Sequence, residues 1–529
     1  MSPLPNRRPI LATLSVLGIA LATSLAGCSG GGEDTSTSSG SEPDSSQSSN
    51  ESPAEESDGT VTLAVVGTIQ AGGWDPSNQP RFQNYPATAV WDTLIRNDEF
   101  GKPLPGAAES FEFSDDNKSI TAHLREGMLF SDGTPLTAES VKASFEYMSN
   151  GGSAARFADL TYDIPDEHTI TVTWPDPQPT IALTVSEPYI SSEKWLEEGN
   201  PAEKPVGSGP YILDEANTTD GSVYTLTKNV DYWDADNLKF DTVVVKIMES
   251  ETAVVNALKT NQVDGALLGA SSYDEVTNAG LESLVLAAEV TRMLITDHKG
   301  EVIPALGDVK VRQAMNMILD KQAMADKIFL GYAKPVSQIF REGSDAYIEN
   351  LEDPYPFDVD KAKKLMEEAG YADGFDLQIP TMAGQNFENI LPYITQQFSL
   401  INIRIEEVPL TGPNAILDLL SGTYPVPMWQ LGNYGESLQD VRDYLLPEGT
   451  WNVLHQKDET IDKIWKEIVK TSDPDKLKDL EQEANQYVVD QAWFIPIVAP
   501  ERFFVHNSKI KLESISDFNG TTPFLWDFE

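Results

Sequence analysis

Histidine and cysteine, which often serve as metal ligands or catalytic groups, are few in this chain of 529 residues and lie far apart in the sequence. No two of the five histidines are three to five positions apart, the spacing that places two metal ligands on one face of a helix. The single cysteine, Cys28, excludes an internal disulfide and a zinc site built from cysteines. We therefore predict no resident metal and no cofactor. The histidines are His123, His168, His298, His455 and His506.

Motifs of nucleotide-binding and hydrolytic enzymes are also missing from the sequence. There is no Walker loop, no dinucleotide-binding glycine pattern and no nucleophile elbow. The segment Gly207–Pro210 contains a serine without the spacing of an elbow, and its composition indicates a turn. Counting Asp234 as position one of a calcium loop puts Lys239 where that loop needs glycine. Carboxylates are too numerous for any pair to identify an acid–base site, so we predict a protein that is not an enzyme.

Cys28 follows a segment with the layout of a secretory signal peptide. Arg7 and Arg8 precede a largely apolar run from 10 to 22, and small residues come next. The run is shorter than the ~20 residues of a usual membrane-spanning helix, and an uncleaved single-span anchor is the alternative. The sequence Leu25–Cys28 resembles the bacterial lipoprotein box. That resemblance implies removal of residues 1–27 and multiple acylation of Cys28, because one acyl chain anchors a protein only weakly.

Residues 28–60 are rich in Ser, Gly, Asp, Glu and Pro and contain neither an aromatic nor a basic residue. This composition predicts a disordered tether, because it buries too little apolar surface to offset the entropy of ordering. The whole chain carries 37 basic and 83 acidic residues, a net charge of −46. That charge argues against binding to nucleic acid or to anionic membrane surfaces, both of which need cationic contacts.

Alternating and periodic patterns predict a mixed α/β protein with more than one sheet. Strands are predicted at 61–66, 169–173 and 242–247. Helices are predicted to begin after three N-cap residues, Thr137, Asp308 and Asp358. The first should run to about Met148, and the last should end at Gly370. The irregular alternation of strands and helices excludes a simple doubly wound sheet.

The segment from Ala107 to Tyr147, AAESFEFSDDNKSITAHLREGMLFSDGTPLTAESVKASFEY, resembles the signature of the family 5 extracellular solute-binding proteins. These proteins are the peptide- and nickel-type receptors of ATP-binding-cassette (ABC) importers. Further segments resemble the family's blocks in the family's order, over nearly all of 61–529: Pro205–Tyr211, Asn229–Trp233, Ala257–Asp264, Asp308–Asn316, Ala362–Tyr371 and Ile495–Ile497. The chain is therefore identified as a member of this family.

The resemblance implies an α/β, two-lobed periplasmic-binding-protein-like fold of the cluster C type, with an extra subdomain and the ligand in the cleft between the lobes. One lobe would take residues 61–96, 204–291 and 499–529, the subdomain 97–203, and the other lobe 292–498. Two crossings of the chain between the lobes would supply a hinge.

The same resemblance implies the partners of the chain. They are a peptide or other small solute and the subunits of an ABC permease, and not nucleic acid. A lipid on Cys28 would hold a monomeric receptor on the outer face of the cytoplasmic membrane. There the receptor would meet its transporter at high local concentration.

Two stretches that resemble ligand-binding segments of peptide receptors lack the charges expected there. Asn433 falls near an aspartate that binds the ligand's α-ammonium in relatives. Either Glu436 or Asp440 replaces that charge, or the ligand has no free amine. The loop 381–387 lacks the arginine that binds the ligand carboxylate in dipeptide receptors. Oligopeptides therefore fit better than dipeptides, and a non-peptide solute such as an oligosaccharide is the alternative.

The candidate ligand-binding residues combine the exit of the first strand, polar groups and aromatic rings that could stack on a ligand. They are Thr68, Ile69, Trp74, Gln385, Trp429, Asn433, Tyr434, Glu436 and Trp451. Core packing is the alternative role for any one of the aromatic residues. Two other functions stay open: an orphan lipoprotein that acts as a sensor or chaperone, and nickel binding assisted by His455. A secreted hydrolase is disfavoured, because the sequence contains no catalytic constellation.

Overall fold

The computed structural model describes residues 59–67, 73–79, 83–98, 101–151, 154–198, 204–286, 290–382, 387–411, 415–431, 437–471, 473–516 and 522–529. The predicted signal peptide, Cys28 and the tether as far as residue 58 lie outside these ranges. Thr60, the last residue of the predicted tether, already belongs to the first strand.

The described strands are, in chain order, β1 (Thr60–Val66), β2 (Ile95–Asn97), β3 (Pro103–Pro105), β4 (Ala108–Phe113), β5 (Ser119–Leu124), β6 (Thr161–Asp166), β7 (Thr169–Thr173), β8 (Tyr211–Leu213), β9 (Val223–Lys228), β10 (Thr242–Met248), β11 (Gly265–Gly269), β12 (Glu282–Leu286), β13 (Val290–Leu294), β14 (Ala333–Pro335), β15 (Asp376–Met382), β16 (Arg404–Leu410), β17 (Met428–Leu431), β18 (Phe494–Pro500) and β19 (Arg502–His506).

The described α-helices are α1 (Tyr85–Val90), α2 (Ala138–Tyr147), α3 (Ile181–Ser186), α4 (Glu193–Glu198), α5 (Glu251–Lys259), α6 (Ala270–Asn278), α7 (Val309–Met317), α8 (Lys321–Lys327), α9 (Val359–Glu368), α10 (Phe387–Ser399), α11 (Ala415–Leu419), α12 (Ser437–Leu445), α13 (Glu459–Ile468) and α14 (Pro474–Asp490). None of these helices combines the length and the apolar composition that crossing a bilayer requires.

The predicted starts of three helices are confirmed by their backbone contacts. Thr137 precedes α2, and its N–H donates to the Ser140 hydroxyl at 2.9 Å. The carboxylates of Asp308 and Asp358 accept from N–H groups two and three residues later, at 2.8 and 2.9 Å, where α7 and α9 begin. Gly370 follows α9 at a φ of +82°, a left-handed conformation that favours glycine.

A seven-stranded sheet in the order β12-β19-β11-β1-β10-β9-β8 forms what we call the first lobe. β1 pairs in parallel with β10 and β11, and β19 runs antiparallel between β11 and β12. Alternate residues of β1 face separate cores, with Val61, Leu63 and Val65 in one cluster and Ala64 in another, beside residues of α5 and α6. Because β19 comes late in the chain, the chain returns to the first lobe after it has formed the subdomain and the second lobe.

The second lobe contains an antiparallel sheet in the order β14-β18-β13-β17 and the parallel pair β15–β16. Residues of α7, α9, α10, α12, α13 and α14 share one apolar core with these strands. α7 buries Val311, Ala314 and Met315 completely, as the helical period of its apolar residues predicts.

The subdomain is an antiparallel sheet in the order β4-β5-β7-β6, with α2 on its core. The subdomain contacts the segment around buried Ser208, where the Ser131 N–H donates to the Gly207 carbonyl at 2.9 Å. This segment also makes a close backbone contact with Val90. A Cβ at Gly207 would lie 2.0 Å from the Val90 carbonyl oxygen, and the Gly209 N–H donates to that same oxygen at 3.1 Å. Only glycine allows this approach, so the segment packs tightly against the end of α1.

Two passages of chain connect the lobes. β12 ends at Leu286 and β13 begins at Val290, and residues 287–289 lie outside the described ranges. The second passage is shorter, because β18 ends at Pro500 and β19 begins at Arg502. Glu501 is thus the only residue between a strand of the second lobe and a strand of the first.

Candidate functional site

A cavity of about 600 Å³ lies beside these passages, and we call it the interlobe cavity. The first lobe contributes Val285 and Leu286 at the end of β12, and Glu501 lines the cavity from the second passage. The second lobe contributes the start of β13, the end of β18 and much of the segment from Lys334 to Leu351. The volume lies within the range of pockets that enclose small ligands.

Strand pairing brings residues that are distant in sequence to this cavity. β14 runs antiparallel to β18, so Lys334 stands beside Ala499. The Glu501 N–H donates to the Tyr332 carbonyl at 2.8 Å, which extends the pairing into the second passage. The position of the Glu501 backbone is therefore fixed by hydrogen bonding to the second lobe.

The start of β13 joins the interlobe cavity to a segment predicted to bind the ligand. Val290 lines the cavity and pairs with Leu431, the last residue of β17. Residues 432–436, with the candidates Asn433, Tyr434 and Glu436, follow directly and lie outside the described residues. The cavity therefore adjoins the end of β17 through strand pairing.

The wall of the cavity carries charges of both signs. Lys334 and Glu342 form an ion pair of 3.9 Å, and their side chains are 74% and 72% exposed, so this pair belongs to the rim. Arg341 and Glu501 also line the cavity and are less exposed than the rim pair. Apolar side chains such as Val290 lie among these charges. Such a lining suits a solute that has both apolar and charged groups.

Gln338 shows how the cavity wall of the second lobe is held in place. Its amide donates to the Ile348 carbonyl at 3.0 Å and accepts from the Ile348 N–H at 3.0 Å, which closes the segment between them into a loop. Asn485 of α14, which is completely buried, donates to Gln338 at 2.7 Å and to the Ala346 carbonyl at 2.8 Å. The wall is therefore attached to the core of the lobe by buried hydrogen bonds.

Glu481 supports the same loop from beneath. The Ser437 hydroxyl donates to the Glu481 carboxyl group and accepts from the Ala346 N–H at 2.9 Å. Glu481 is only 3% exposed, and burial raises its pKa to about 8, against a weaker opposing effect of the hydrogen bond from Ser437. Asp345 raises this pKa further and Lys478 lowers it. The loop thus rests on a carboxyl group that is protonated at neutral pH.

A buried arginine and a buried aspartate lie behind the wall. Arg292 of β13 is completely buried and donates to the carbonyls of Val290 at 3.2 Å and Ile339 at 3.4 Å. Its guanidinium lies 5.1 Å from the centre of the Tyr444 ring. Burial raises the pKa of Asp440 well above its usual range, and Arg292 opposes that change.

Asp440, considered above as a partner for a ligand amine, is only 1% exposed. Its Oδ1 has no hydrogen-bond partner within the described part of the chain. Asp440 is not among the residues that line the interlobe cavity.

Aromatic side chains join the lobes beside the second passage. The Tyr332 hydroxyl of the second lobe donates to Asp274 of α6 at 2.6 Å. The Tyr332 ring lies 4.9 Å from Tyr273 of α6, and Tyr273 stacks at 4.0 Å on Phe503 of β19. We call Tyr332, Asp274, Tyr273 and Phe503 the interlobe contact. The residues of the interlobe contact belong to both lobes. Any change in the relative orientation of the lobes therefore alters these contacts.

Trp74 and Trp429 are buried in the cores, whereas Trp451 is partly buried against the core of the second lobe. None of the three lines the interlobe cavity. Trp74 is 4% exposed and lies 5.9 Å from Trp91 and 6.0 Å from Tyr224 in the core of the first lobe. Trp429 is 8% exposed and lies 5.2 Å from Trp451 in the second lobe. Trp429 Nε1 has no hydrogen-bond partner among the described residues, and that donor is the polar group through which this ring could still serve a ligand.

The remaining predicted residues fall outside the described residues. They are Cys28, Thr68, Ile69, Gln385, Asn433, Tyr434 and Glu436. Among the residues that the structure does describe, no three histidine, cysteine, aspartate or glutamate side chains are placed to hold a metal ion.

Sequence reasoning missed the residues that line the interlobe cavity. Lys334 and Glu501 are 167 positions apart, and no local pattern indicates that β14 pairs with β18. One signal was available: Glu501 is an acidic residue between two apolar strands, β18 and β19. Burying a charge without a partner is costly, so an acidic residue at such a junction indicates a candidate binding position.

The sequence model for bacterial extracellular solute-binding proteins, family 5 middle, matches residues 102–450, about two-thirds of the chain. A curated relative, the glutathione-binding protein GsiB of Escherichia coli (strain K12), is 24% identical over 438 residues. That match covers 76% of this chain and 82% of GsiB.

Solved structures show the same fold. The periplasmic binding protein DppA from Helicobacter pylori, in complex with the peptide STSA, is 19% identical with a TM-score of 0.75, covering 89% of this chain and 98% of DppA. The protein AgaA from A. tumefaciens R10, in complex with agropinic acid, is 22% identical with a TM-score of 0.77, covering 89% of this chain and 98% of AgaA. The fold is thus the two-lobed, mixed α/β fold of periplasmic binding proteins, as the sequence predicted.

Proposed function

The chain belongs to the family 5 bacterial extracellular solute-binding proteins, and we propose that it captures peptides between its lobes and delivers them to an ABC permease. Proteins of this family are extracytoplasmic binding receptors of ABC importers and not enzymes. The observation that carries the proposal is the interlobe cavity, to which both lobes contribute side chains. A solute that contacts both lobes stabilises the relative orientation of the lobes in which it is bound. Binding of the solute thereby changes the conformation of the receptor that the permease recognises.

Two features of the cavity favour a peptide as the solute. Its volume of about 600 Å³ is large enough for more than a single amino acid. Its wall combines apolar side chains with charges of both signs, which suits the side chains and charged ends of a peptide. An oligopeptide fits this space better than a dipeptide, in line with the missing arginine in the loop 381–387.

The segment after β17 is proposed to complete the site. Asn433, Tyr434 and Glu436 follow Leu431, which pairs with the cavity residue Val290. We propose that their backbone and side chains contact the solute along the same edge of the cavity. Further proposed contacts are Thr68, Ile69 and Gln385. Their segments resemble ligand-binding segments of the family.

A non-peptide solute is the second candidate, and it has a specific basis. AgaA binds agropinic acid, so this fold also accommodates solutes that are not peptides. Asn433 and Gln385, uncharged at positions where peptide receptors carry charges, suit a neutral solute such as an oligosaccharide. An orphan lipoprotein sensor would use the same cavity without a permease.

Native mass spectrometry of the purified full-length chain in detergent tests the proposal. Peptide import predicts a heterogeneous set of added masses that resolve into short peptides after denaturation. A single added mass that matches a sugar or another non-peptide solute would contradict the peptide assignment and support the alternative.

We also propose that acylated Cys28 anchors the receptor to the outer face of the cytoplasmic membrane. The Cys28→Ser variant should leave the membrane fraction and appear in the soluble extracytoplasmic fraction, while solute affinity is unchanged. Retention of this variant in washed membranes would contradict anchoring by lipid and favour an uncleaved span. The exposed-site variant Glu483→Gln is the matched control for fractionation.

A further inference from the structure

Glu501 stands out among the charged groups of the interlobe cavity. Glu501 lines the cavity, and within the described part of the chain its carboxylate takes part in no hydrogen bond or ion pair. The other acidic residue of the lining, Glu342, is already paired with Lys334 at the rim. Among the lining residues that the structure describes, Glu501 thus supplies the one carboxylate left uncommitted for a ligand.

The backbone around Glu501 is held on both sides. Its own N–H donates to the Tyr332 carbonyl at 2.8 Å. The preceding residue, Pro500, pairs with Ala333 in the second lobe, and the following residue, Arg502, pairs with Leu286 in the first. The carboxylate is therefore carried by backbone that is fixed to both lobes, so only the side chain has to be ordered when it engages a ligand.

We propose that Glu501 binds the cationic end of the solute, and that the solute therefore carries a free ammonium or similar cation. This inference rests on the proposed function, because it names the chemistry of the same cavity. A carboxylate that is partly shielded from water forms a stronger, charge-assisted hydrogen bond with an ammonium than with a neutral donor. Arg341 also lines the cavity and carries a charge of opposite sign.

The test compares Glu501→Gln with Glu342→Gln in the full-length chain. Both changes replace a carboxylate of the lining by an isosteric amide, but only the first removes the uncommitted one. The probes are a tetrapeptide library of random sequence and the same library with acetylated N-termini, with retained peptides measured by native mass spectrometry. Solute stripped by partial unfolding and dialysis is replaced by each library in turn.

We expect the wild-type chain to prefer the free-amine library by roughly tenfold or more, the effect of one charge-assisted hydrogen bond. Glu501→Gln should reduce this preference to less than about threefold, whereas Glu342→Gln should leave it within about twofold of wild type. An equal preference for both libraries in the wild type, or a preference that survives in Glu501→Gln, would overturn the assignment.

Failure of the proposed function gives a different experimental result from failure of the Glu501 assignment. If the wild-type chain retains neither library, peptide capture is contradicted, and the assignment of Glu501 is then decided by the co-purified solute. A co-purified solute with a cationic group whose occupancy falls in Glu501→Gln but not in Glu342→Gln supports the assignment. A co-purified solute without a cationic group refutes it.

Discussion

Replacing Glu481 by glutamine should stabilise the protein at neutral pH. Glu481 is 3% exposed and accepts a hydrogen bond from Ser437 beneath the loop that forms the wall of the cavity. Its pKa is raised to about 8, mainly by burial, so the folded chain keeps this carboxyl group protonated. Glutamine has the same shape, carries no charge at any pH and still offers an oxygen to Ser437.

The size of the effect follows from the two protonation equilibria. The unfolded chain releases the proton near pH 4.5 and the folded chain near pH 8. Between these values the folded chain holds a proton that the unfolded chain has lost, so the free energy of unfolding falls as pH rises. From pH 4.5 to pH 7, at about 1.4 kcal/mol per pH unit, the loss is about 3 kcal/mol as an upper bound. Glu481→Gln should remove this loss.

Urea unfolding from pH 4.5 to pH 8 measures the effect, with Glu483→Gln on the exposed side of the same helix as the matched control. The stabilities of wild type and Glu481→Gln should be close near pH 4.5 and diverge steadily up to pH 8. Burial also raises the pKa of Asp440, and the charge of Glu481 adds to that rise, so the difference between the two chains includes a smaller contribution through Asp440. Parallel stability curves for wild type and Glu481→Gln would refute the reasoning.

Two further predictions concern the contact between the lobes and the backbone packing of the first lobe. Tyr332→Phe removes the hydrogen bond of 2.6 Å to Asp274 and should weaken solute affinity roughly threefold to tenfold, because it destabilises the lobe arrangement that forms the cavity. Gly207→Ala should lower the free energy of unfolding by about 2 kcal/mol or more, because its Cβ would lie 2.0 Å from a backbone oxygen.

Each of these predictions has a matched control in the chain. Tyr393→Phe removes a hydroxyl that donates at 3.2 Å within the second lobe, and titration calorimetry with the co-purified solute should show affinity within about twofold of wild type. If Tyr332→Phe also binds like wild type, the interlobe contact has no influence on capture. Gly269→Ala places a Cβ no closer than 3.5 Å to its neighbours and should be nearly neutral in urea unfolding. Equal stability of the two alanine variants would contradict the packing argument for Gly207.

Local patterns predicted those parts of the fold that depend on neighbours in sequence. Asp308 and Asp358 cap helices because a short carboxylate reaches N–H groups two or three residues ahead, a contact that needs no tertiary structure. The strand at 61–66 and the helix after Thr137 follow from the periods of their apolar residues in the same way. The family resemblance then supplied the two-lobed fold, which periodicity alone does not specify.

The interlobe cavity depends on contacts that no local pattern encodes. Lys334 meets Ala499 only because β14 pairs with β18, and Glu501 reaches the cavity only because β19 inserts between β11 and β12. Aromatic residues are ambiguous for the same reason, since a ring suits both a ligand and a core. The partners of Trp74, which are Trp91 and Tyr224, come together only in the folded lobe.

Hydrogen exchange of the full-length chain, with and without its co-purified solute, tests most directly whether the solute occupies the interlobe cavity. Our account predicts slower exchange on binding in residues 334–342 and in the passage from Ala499 to Arg502, which line or adjoin the cavity. Residues of the subdomain sheet, β4 to β7, should exchange at unchanged rates. Solute binding that slows exchange elsewhere while leaving both cavity segments unchanged would contradict the account.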